Sequence, residues 1–296
     1  MFTVLTRATS ANLGPGFDCL GISLSIENRV SFTYKRKEAI INGKHDRKAA
    51  EGNLIVQSMY AACETLGVSK PSGFDLRIES RVPISRGLGS SACCISTGVA
   101  LAYQHAGIKI DRDEIFKIAC EIEGHPDNVA PCIYGGLVVS YMTDSGYKAH
   151  KLSVDRKFRF IAMIPKFRLA TKSARGVLPA SYSREDATFN VSHAALVVTA
   201  LQKGNSALLS EAMKDRFHEP YRAKLIDGFD EARNIAMESG AAAVYLSGAG
   251  PTMMAIADNS ETLYKIRAKL RRQLPGWEAR QLKVSYEGIR ITTAKN

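Results

Sequence analysis

The 296-residue chain is 45% hydrophobic and 23% charged, the balance of a globular protein with room for one large or two medium domains. No run reaches the roughly 18 apolar residues of a membrane-spanning helix, and the start lacks the basic and apolar regions of a secretory signal, so neither a membrane partner nor export is expected. The formal net charge of +11 suits polyanions or small anions, but the basic clusters Lys35-Arg36-Lys37 and Lys265–Arg272 accompany no nucleic-acid module, and no nucleic-acid partner is expected.

In chain order, alternating residues predict strands over Phe2–Thr9 and Val30–Tyr34, a helix over Leu54–Leu66 and a strand over Phe74–Ser80. A glycine-containing loop then leads into a helix from about Ser90 to His105. A second helix spans Arg112–Glu123, and an apolar run at Leu137–Met142 reads as a strand. The polar stretch Asp144–Arg156 reads as a linker, giving domains over 1–156 and 157–296. Beyond it come a strand at Phe158–Ile164, helices at Val191–Leu201, Ala207–Lys214 and Phe229–Glu238, and strands at Ala242–Leu246 and Thr252–Ala257. A helix at Glu261–Arg272 and strands at Glu278–Val284 and Gly288–Thr292 close the chain. Strands mixed with helices, without regular β-α-β alternation, imply an α+β protein in two domains.

The six cysteines, Cys19, Cys63, Cys93, Cys94, Cys120 and Cys132, form no Cys-x-x-Cys pair and lie mostly in apolar surroundings. Reduced, buried thiols in a cytoplasmic protein are the expectation.

The loop Pro83, Ile84, Ser85, Arg86, Gly87, Leu88, Gly89, Ser90, Ser91, Ala92, Cys93 carries the chemistry. Its two glycines permit positive φ and close backbone approach, and a serine suits the N-cap of the helix that follows. Free N–H groups at that helix start, with the positive end of its dipole, make a site for phosphate. A serine-capped turn is the plainer reading of the same residues. The loop is neither a Walker A motif nor a dinucleotide fingerprint.

Taken with its context, the loop resembles the ATP loop of the GHMP kinases. Two further blocks stand in that family's order: Ala8–Gly21, containing Ser10-Ala-Asn-Leu-Gly-Pro-Gly-Phe-Asp18, and Ser247-Gly-Ala-Gly-Pro-Thr252. Within the family, the first block, Glu123–Pro131, Thr171–Pro179 and His218–Arg222 are similar to the branch acting on homoserine. The resemblance implies an N-terminal ribosomal protein S5 domain 2-like nucleotide domain and a C-terminal ferredoxin-like domain. It also implies ATP and Mg²⁺ as cofactors, L-homoserine as substrate, and a homodimer. The rivals are a mevalonate-type or diphosphocytidyl-methylerythritol-type kinase inside the family and, from another class, a non-catalytic ligand-binding or regulatory protein that keeps the fold.

A zwitterionic acceptor needs a cation for its carboxylate and acceptors for its ammonium. Arg175 and Arg222 suit the former, and Asn12 and Asp18 the ammonium and hydroxyl ends. By resemblance Glu123 and Ser91 hold the metal, with Glu121 on another helix face as the competing carboxylate. Where many GHMP kinases carry an aspartate base, this chain has Asn128, which orients a hydroxyl but cannot take its proton. Asp127 is adjacent and is expected to point away, so a mechanism without a strong protein base is favoured, with His125 as the second candidate. Thr171 shares a helix face with Arg175 and is expected to touch substrate or phosphate. Asn53 is expected near the adenine, or as an N-cap alone.

Overall fold

The computed structural model describes residues 1–45 and 47–293. Its first half runs β1 (Phe2–Ala11), β2 (Leu20–Tyr34), β3 (Ala39–Ile41), β4 (Lys44–His45), α1 (Arg47–Glu51), α2 (Leu54–Thr65), β5 (Phe74–Glu79), α3 (Ser90–Ala106), α4 (Arg112–Glu123), α5 (Val129–Tyr134), β6 (Leu137–Thr143) and β7 (Gly146–Leu152). The second runs β8 (Arg159–Pro165), α6 (Thr171–Gly176), α7 (Arg184–Lys203), α8 (Ser206–Ala212), α9 (Glu219–Arg222), α10 (Phe229–Glu238), β9 (Ala243–Leu246), β10 (Met253–Ala257), α11 (Ser260–Gln273), β11 (Trp277–Leu282) and β12 (Arg290–Thr293). Among the described residues no helix is long and apolar enough to cross a membrane.

These strands form two sheets. The first has the order β12-β1-β2-β5-β3-β4, with β6 on β2 and β7 on β6; the second is antiparallel, β11-β8-β10-β9. Helices α2, α3 and α4 cover one face of the first sheet, burying Phe32, Phe74 and Leu76 against Val56, Met59, Val99 and Phe116. The second sheet is buried on both faces, which explains its near-continuous apolar runs. Phe160 and Ala162 of β8 face Leu20, Ile22 and Leu24 of β2 together with Val197 and Leu201 of α7. Their neighbours Ile161 and Met163 face α10 and α11. The two halves therefore share one apolar seam, and the cleft described below opens along its edge. The division near residue 156 separates the two sheets except for β12, which returns to pair with β1.

Several elements differ from expectation for identifiable reasons. The stretch read as a linker holds β7, paired antiparallel with β6 from Leu137↔Leu152 to Thr143↔Gly146. Its Tyr147 and Ala149 pack on the core while Lys148 and His150 alternate outward, so lysines on an edge strand masked a period of two. Strand β2 starts ten residues before the expected Val30. Helix α7 starts at Arg184, where the Ser183 hydroxyl accepts from the Asp186 N–H. That capping serine, followed by Glu185 and Asp186, is a start signal that the polar first two turns obscured. Strands β3 and β4 flank Asn42-Gly43, both at positive φ (48° and 76°), a two-residue hairpin turn that the Asn-Gly pair announces.

Candidate active site

Between the halves lies a cleft of about 670 Å³. Its wall includes Asn12, Asp18, Asn53, Ile84, Ser85, Arg86, Gly87, Gly89, Ser90, Ser91, Glu123, His125, Asn128, Thr171, Arg175 and Arg222, drawn from segments far apart in sequence. Pro83, Leu88, Ala92 and Cys93 do not line it; the last three are buried, Leu88 and Cys93 in the seam and Ala92 against α2 and the sheet.

The loop is built on backbone. Gly87 and Gly89 both take positive φ (73° and 68°). A Cβ on Gly87 would strike the Ser247 carbonyl, and one on Gly89 the Thr9 hydroxyl, so only glycine lets the loop lie against β1 and the third glycine-rich segment. The N-cap of α3 is Gly89, not a serine, and no side chain caps it. The first backbone bond of that helix runs from the Cys93 N–H to the Gly89 carbonyl, so the N–H groups of Ser90, Ser91 and Ala92 lack intrahelical partners. With Ser90 inside the helix rather than capping it, these donors stay available to an anion. A chain of hydroxyls fixes the loop from below: Tyr245 contacts Ser10 (3.0 Å), Ser10 contacts Ser247 (2.7 Å), and Ser247 donates to the Gly87 carbonyl (2.6 Å). Arg86 ties the loop to the second half by donating to the carbonyls of Pro165 and Lys166.

Ser91 donates to a Glu123 carboxylate oxygen at 2.6 Å. Glu123 is the last residue of α4, released by Gly124 in the left-handed conformation, while Glu121 is exposed and outside the cleft. Burial pushes the Glu123 carboxyl up, partly offset by the Ser91 hydrogen bond. A hydroxyl and a crowded carboxylate side by side suit a hard divalent cation.

The His125–Asn128 turn corrects one expectation. Asp127 does not point away from Asn128: one of its oxygens accepts from His125 Nδ1 (2.7 Å), the Asn128 N–H (2.8 Å) and Asn128 Nδ2 (3.3 Å). The reason is local, since Asp127 turns back onto the start of α5, which brings consecutive side chains to one side. Asn128 Oδ1 in turn accepts from the Thr9 hydroxyl at 2.7 Å. Burial disfavours a charged His125, but the Asp127 hydrogen bond and the charges of Asp127 and Glu123 more than offset it, and the imidazole is raised above its ordinary value.

At the other end, Arg175 binds Asp18 through two parallel hydrogen bonds (3.0 and 2.7 Å). Arg222 is 2% exposed and donates to the carbonyls of Ala174 and Gly248, each at 3.0 Å. Asn12 donates to the Gly248 carbonyl (3.0 Å) and accepts from the Asp18 N–H (3.1 Å), tying the first glycine turn to the third segment. Thr171 and Arg175 lie in the short helix α6 at the expected spacing, and Asn53 both caps α2 and lines the cleft. Sequence reasoning missed the apolar end formed by Ile41, Leu54, Ile55 and Ile78, and also Asn42 and Leu169. The Asn-Gly turn could have found the first of these; the others come together only through tertiary packing.

On α9, the helix of Arg222, Glu219 is buried and accepts from the Leu246 N–H, with Arg233 3.7 Å away. Burial pushes its carboxyl up to about 7. A raised carboxyl gives stability that is fully present below its unfolded value and is lost as pH rises through about 7. Glu219→Gln keeps an acceptor for Leu246 and removes the titration. Wild type should therefore lose about 2.5 kcal/mol relative to this variant between pH 5 and 8.5 in denaturant unfolding. Parallel pH profiles would show that Glu219 does not ionise in this window.

The comparisons with known proteins agree with this geometry. Residues 53–136 match the GHMP kinases N terminal domain and residues 197–276 the GHMP kinases C terminal region. The chain is 43% identical to the homoserine kinase of Clostridium beijerinckii, over 99% of this chain and 98% of that one. It is 38% identical to a homoserine kinase of Clostridium botulinum over 100% of both. The crystal structure of homoserine kinase from Cytophaga hutchinsonii superposes with a TM-score of 0.84 at 29% identity, covering 98% of this chain and 97% of that one. A mevalonate kinase of Methanococcus jannaschii, at 15% identity and a TM-score of 0.70 over 95% and 98% of the two chains, shares the fold. With these relatives, the glycine loop at a helix start and the Ser91–Glu123 pair beside it, the chain belongs to the GHMP kinase family.

Proposed function

We propose that the chain is a homoserine kinase, transferring the γ-phosphoryl group of ATP to the side-chain hydroxyl of L-homoserine to give O-phospho-L-homoserine and ADP on the way to threonine. The observation that carries this reading is that one cleft joins the anion-binding loop to a set of groups suited to an amino acid: Asp18, Asn12, Arg175 and Arg222. Asp18 offers an acceptor to the ammonium, which a mevalonate-type acceptor lacks. Both ends of the Asn12 amide hold protein partners and each keeps one further hydrogen-bonding position. The two guanidiniums serve the carboxylate. Thr171, on the same helix as Arg175, faces substrate or phosphate.

The nucleotide fits the rest of the cleft. The apolar end at Ile41, Leu54, Ile55 and Ile78, with Asn53 beside it, takes the adenine. The unpartnered N–H groups at the start of α3 take the phosphates. Ser91 and Glu123 would hold Mg²⁺, which when bound neutralises charge on the phosphates. Asn128 cannot take a proton, and Asp127, which also lines the cleft, has one oxygen engaged by three donors, so a mechanism without a strong protein base is favoured. Burial works against a charged His125, Asp127 and Glu123 favour it on balance, and in that form the imidazole would stabilise charge on the transferred group. The hydroxyl proton then leaves to a phosphoryl oxygen or to solvent, and catalysis rests on positioning and charge. The same reading carries a cytoplasmic location and a homodimer.

The test is an ADP-release assay with MgATP over homoserine, serine, mevalonate and galactose. Turnover with homoserine, with O-phosphohomoserine as product, is the expected result. Turnover with another of these alcohols and none with homoserine overturns the reading.

A further inference from the structure

Phe17, between Gly16 and Asp18, has no part in the chemistry above and belongs to none of the three apolar cores. It is half-buried, yet its surroundings are specific. Its ring centre lies 5.3 Å from the guanidinium carbon of Arg222 and 5.7 Å from that of Arg175. It also stacks on His218, with centroids 5.4 Å apart and planes at 26°. One aromatic ring thus touches both arginines of the acceptor end.

The two arginines differ in their hydrogen-bond partners. Arg175 has the Asp18 carboxylate, whereas the hydrogen-bond partners of Arg222 are neutral: two carbonyls and, at 3.4 Å, His218 Nδ1. His218 donates its Nε2 proton to the Gly14 carbonyl at 2.9 Å, and burial pushes its imidazole down, so Nδ1 presents a lone pair to Arg222. Two like charges converge on a small cleft, where Asp18 and Asp127 attract both, and the negative face of the Phe17 ring adds an attraction that lies against both guanidiniums. The turn that carries Phe17 is tightly wound: Asn12, Leu13 and Asp18 all take positive φ (71°, 45° and 55°), a conformation that non-glycine residues adopt at a cost.

From this geometry we infer that Phe17 is a positioning residue, holding the Arg175 and Arg222 guanidiniums at the spacing that receives the acceptor's carboxylate and so setting affinity for the amino-acid substrate. The inference rests on the homoserine reading. It predicts an effect confined to the acceptor, because Phe17 does not line the cleft and the nucleotide end lies on the other side of the Asn12–Gly248 contact.

The experiment compares Phe17→Leu, Phe17→Tyr and Phe17→Trp with wild type. It measures KM for homoserine, KM for ATP, kcat, thermal unfolding and calorimetric binding of homoserine alone. Phe17→Leu fills similar space without a ring face and should raise the homoserine KM and Kd about tenfold. Its ATP KM, kcat at saturating homoserine and unfolding midpoint should stay near wild type. Tyr and Trp, which keep the ring face, should recover homoserine affinity to within about threefold. A Leu variant with wild-type homoserine affinity overturns the inference while leaving the activity intact. So does a loss shared equally by homoserine, ATP and stability, or a failure of both aromatic variants to recover. No turnover of homoserine by wild type is a different result, which removes the substrate assignment and this role together.

Discussion

Glu123→Gln is expected to lower kcat about 10²- to 10³-fold without loss of fold, the size of effect seen when one preorganised electrostatic group is removed from an active site. The amide keeps an oxygen for the Ser91 hydroxyl, which bonds the carboxylate at 2.6 Å, so the helix α4 terminus and the loop should hold their places. On the proposed reading, what is lost is the negative charge that would hold a divalent cation against the phosphates. The sign of the stability change follows from the carboxyl's own state. Burial raises it above its ordinary value, so the ionised group works against the fold at neutral pH, and the variant should unfold at the same or higher denaturant concentration than wild type. Glu121→Gln is the control, since that side chain is exposed and outside the cleft, and it should leave kcat unchanged. Steady-state kinetics over a Mg²⁺ series checks both. A Glu123→Gln enzyme within threefold of wild type would move the metal away from this carboxylate.

Where the sequence was legible, local chemistry decided the outcome. Gly87 and Gly89 after a strand, then serines before a long apolar run, announce a loop opening a helix, and α3 begins at Ser90 as read. The capping detail differs because Gly89 already takes the left-handed conformation that ends the turn, leaving no need for a serine cap. Spacing within one element was equally readable: Thr171 and Arg175 fall on one short helix, and Glu121 and Glu123 separate onto exposed and cleft-facing sides.

Groups assembled by long-range packing were not readable in this way. The Asp127 carboxylate sits beside Asn128 because the chain turns back into α5, and consecutive residues follow a strand's alternation only in extended backbone. The motifs gave Asn12 and Gly248 separately; that an amide joins them depends on β1 running beside the third segment. The apolar end of the cleft needs Ile41, Ile55 and Ile78 from a hairpin, a helix and a strand. Isolated isoleucines at those positions look like ordinary core. The burial of Arg222 belongs to the same class. Its helix is only four residues long, and Asp215 secures its start by accepting from the N–H groups of Phe217, His218 and Glu219.

That burial makes Arg222→Lys the most selective test of the acceptor end, with an expected rise of about 10²-fold in the homoserine KM and less than about threefold in the ATP KM. The guanidinium donates through Nε to Ala174 and through Nη1 to Gly248, at 3.0 Å each, a fork that bridges α6 and the third glycine-rich segment. An ammonium presents a single nitrogen and cannot reach both carbonyls while also offering two parallel bonds to a carboxylate. Burial lowers even the guanidinium here, through desolvation and then the charge of Arg175, and a lysine in the same place would give up its proton far more readily. The variant thus loses geometry and charge together. On the proposed reading homoserine is sensitive to both, whereas ATP at the α3 start would depend on neither. Binding of an ATP analogue at wild-type affinity would show that the variant is folded, and an unchanged homoserine KM in that folded protein would remove Arg222 from carboxylate recognition.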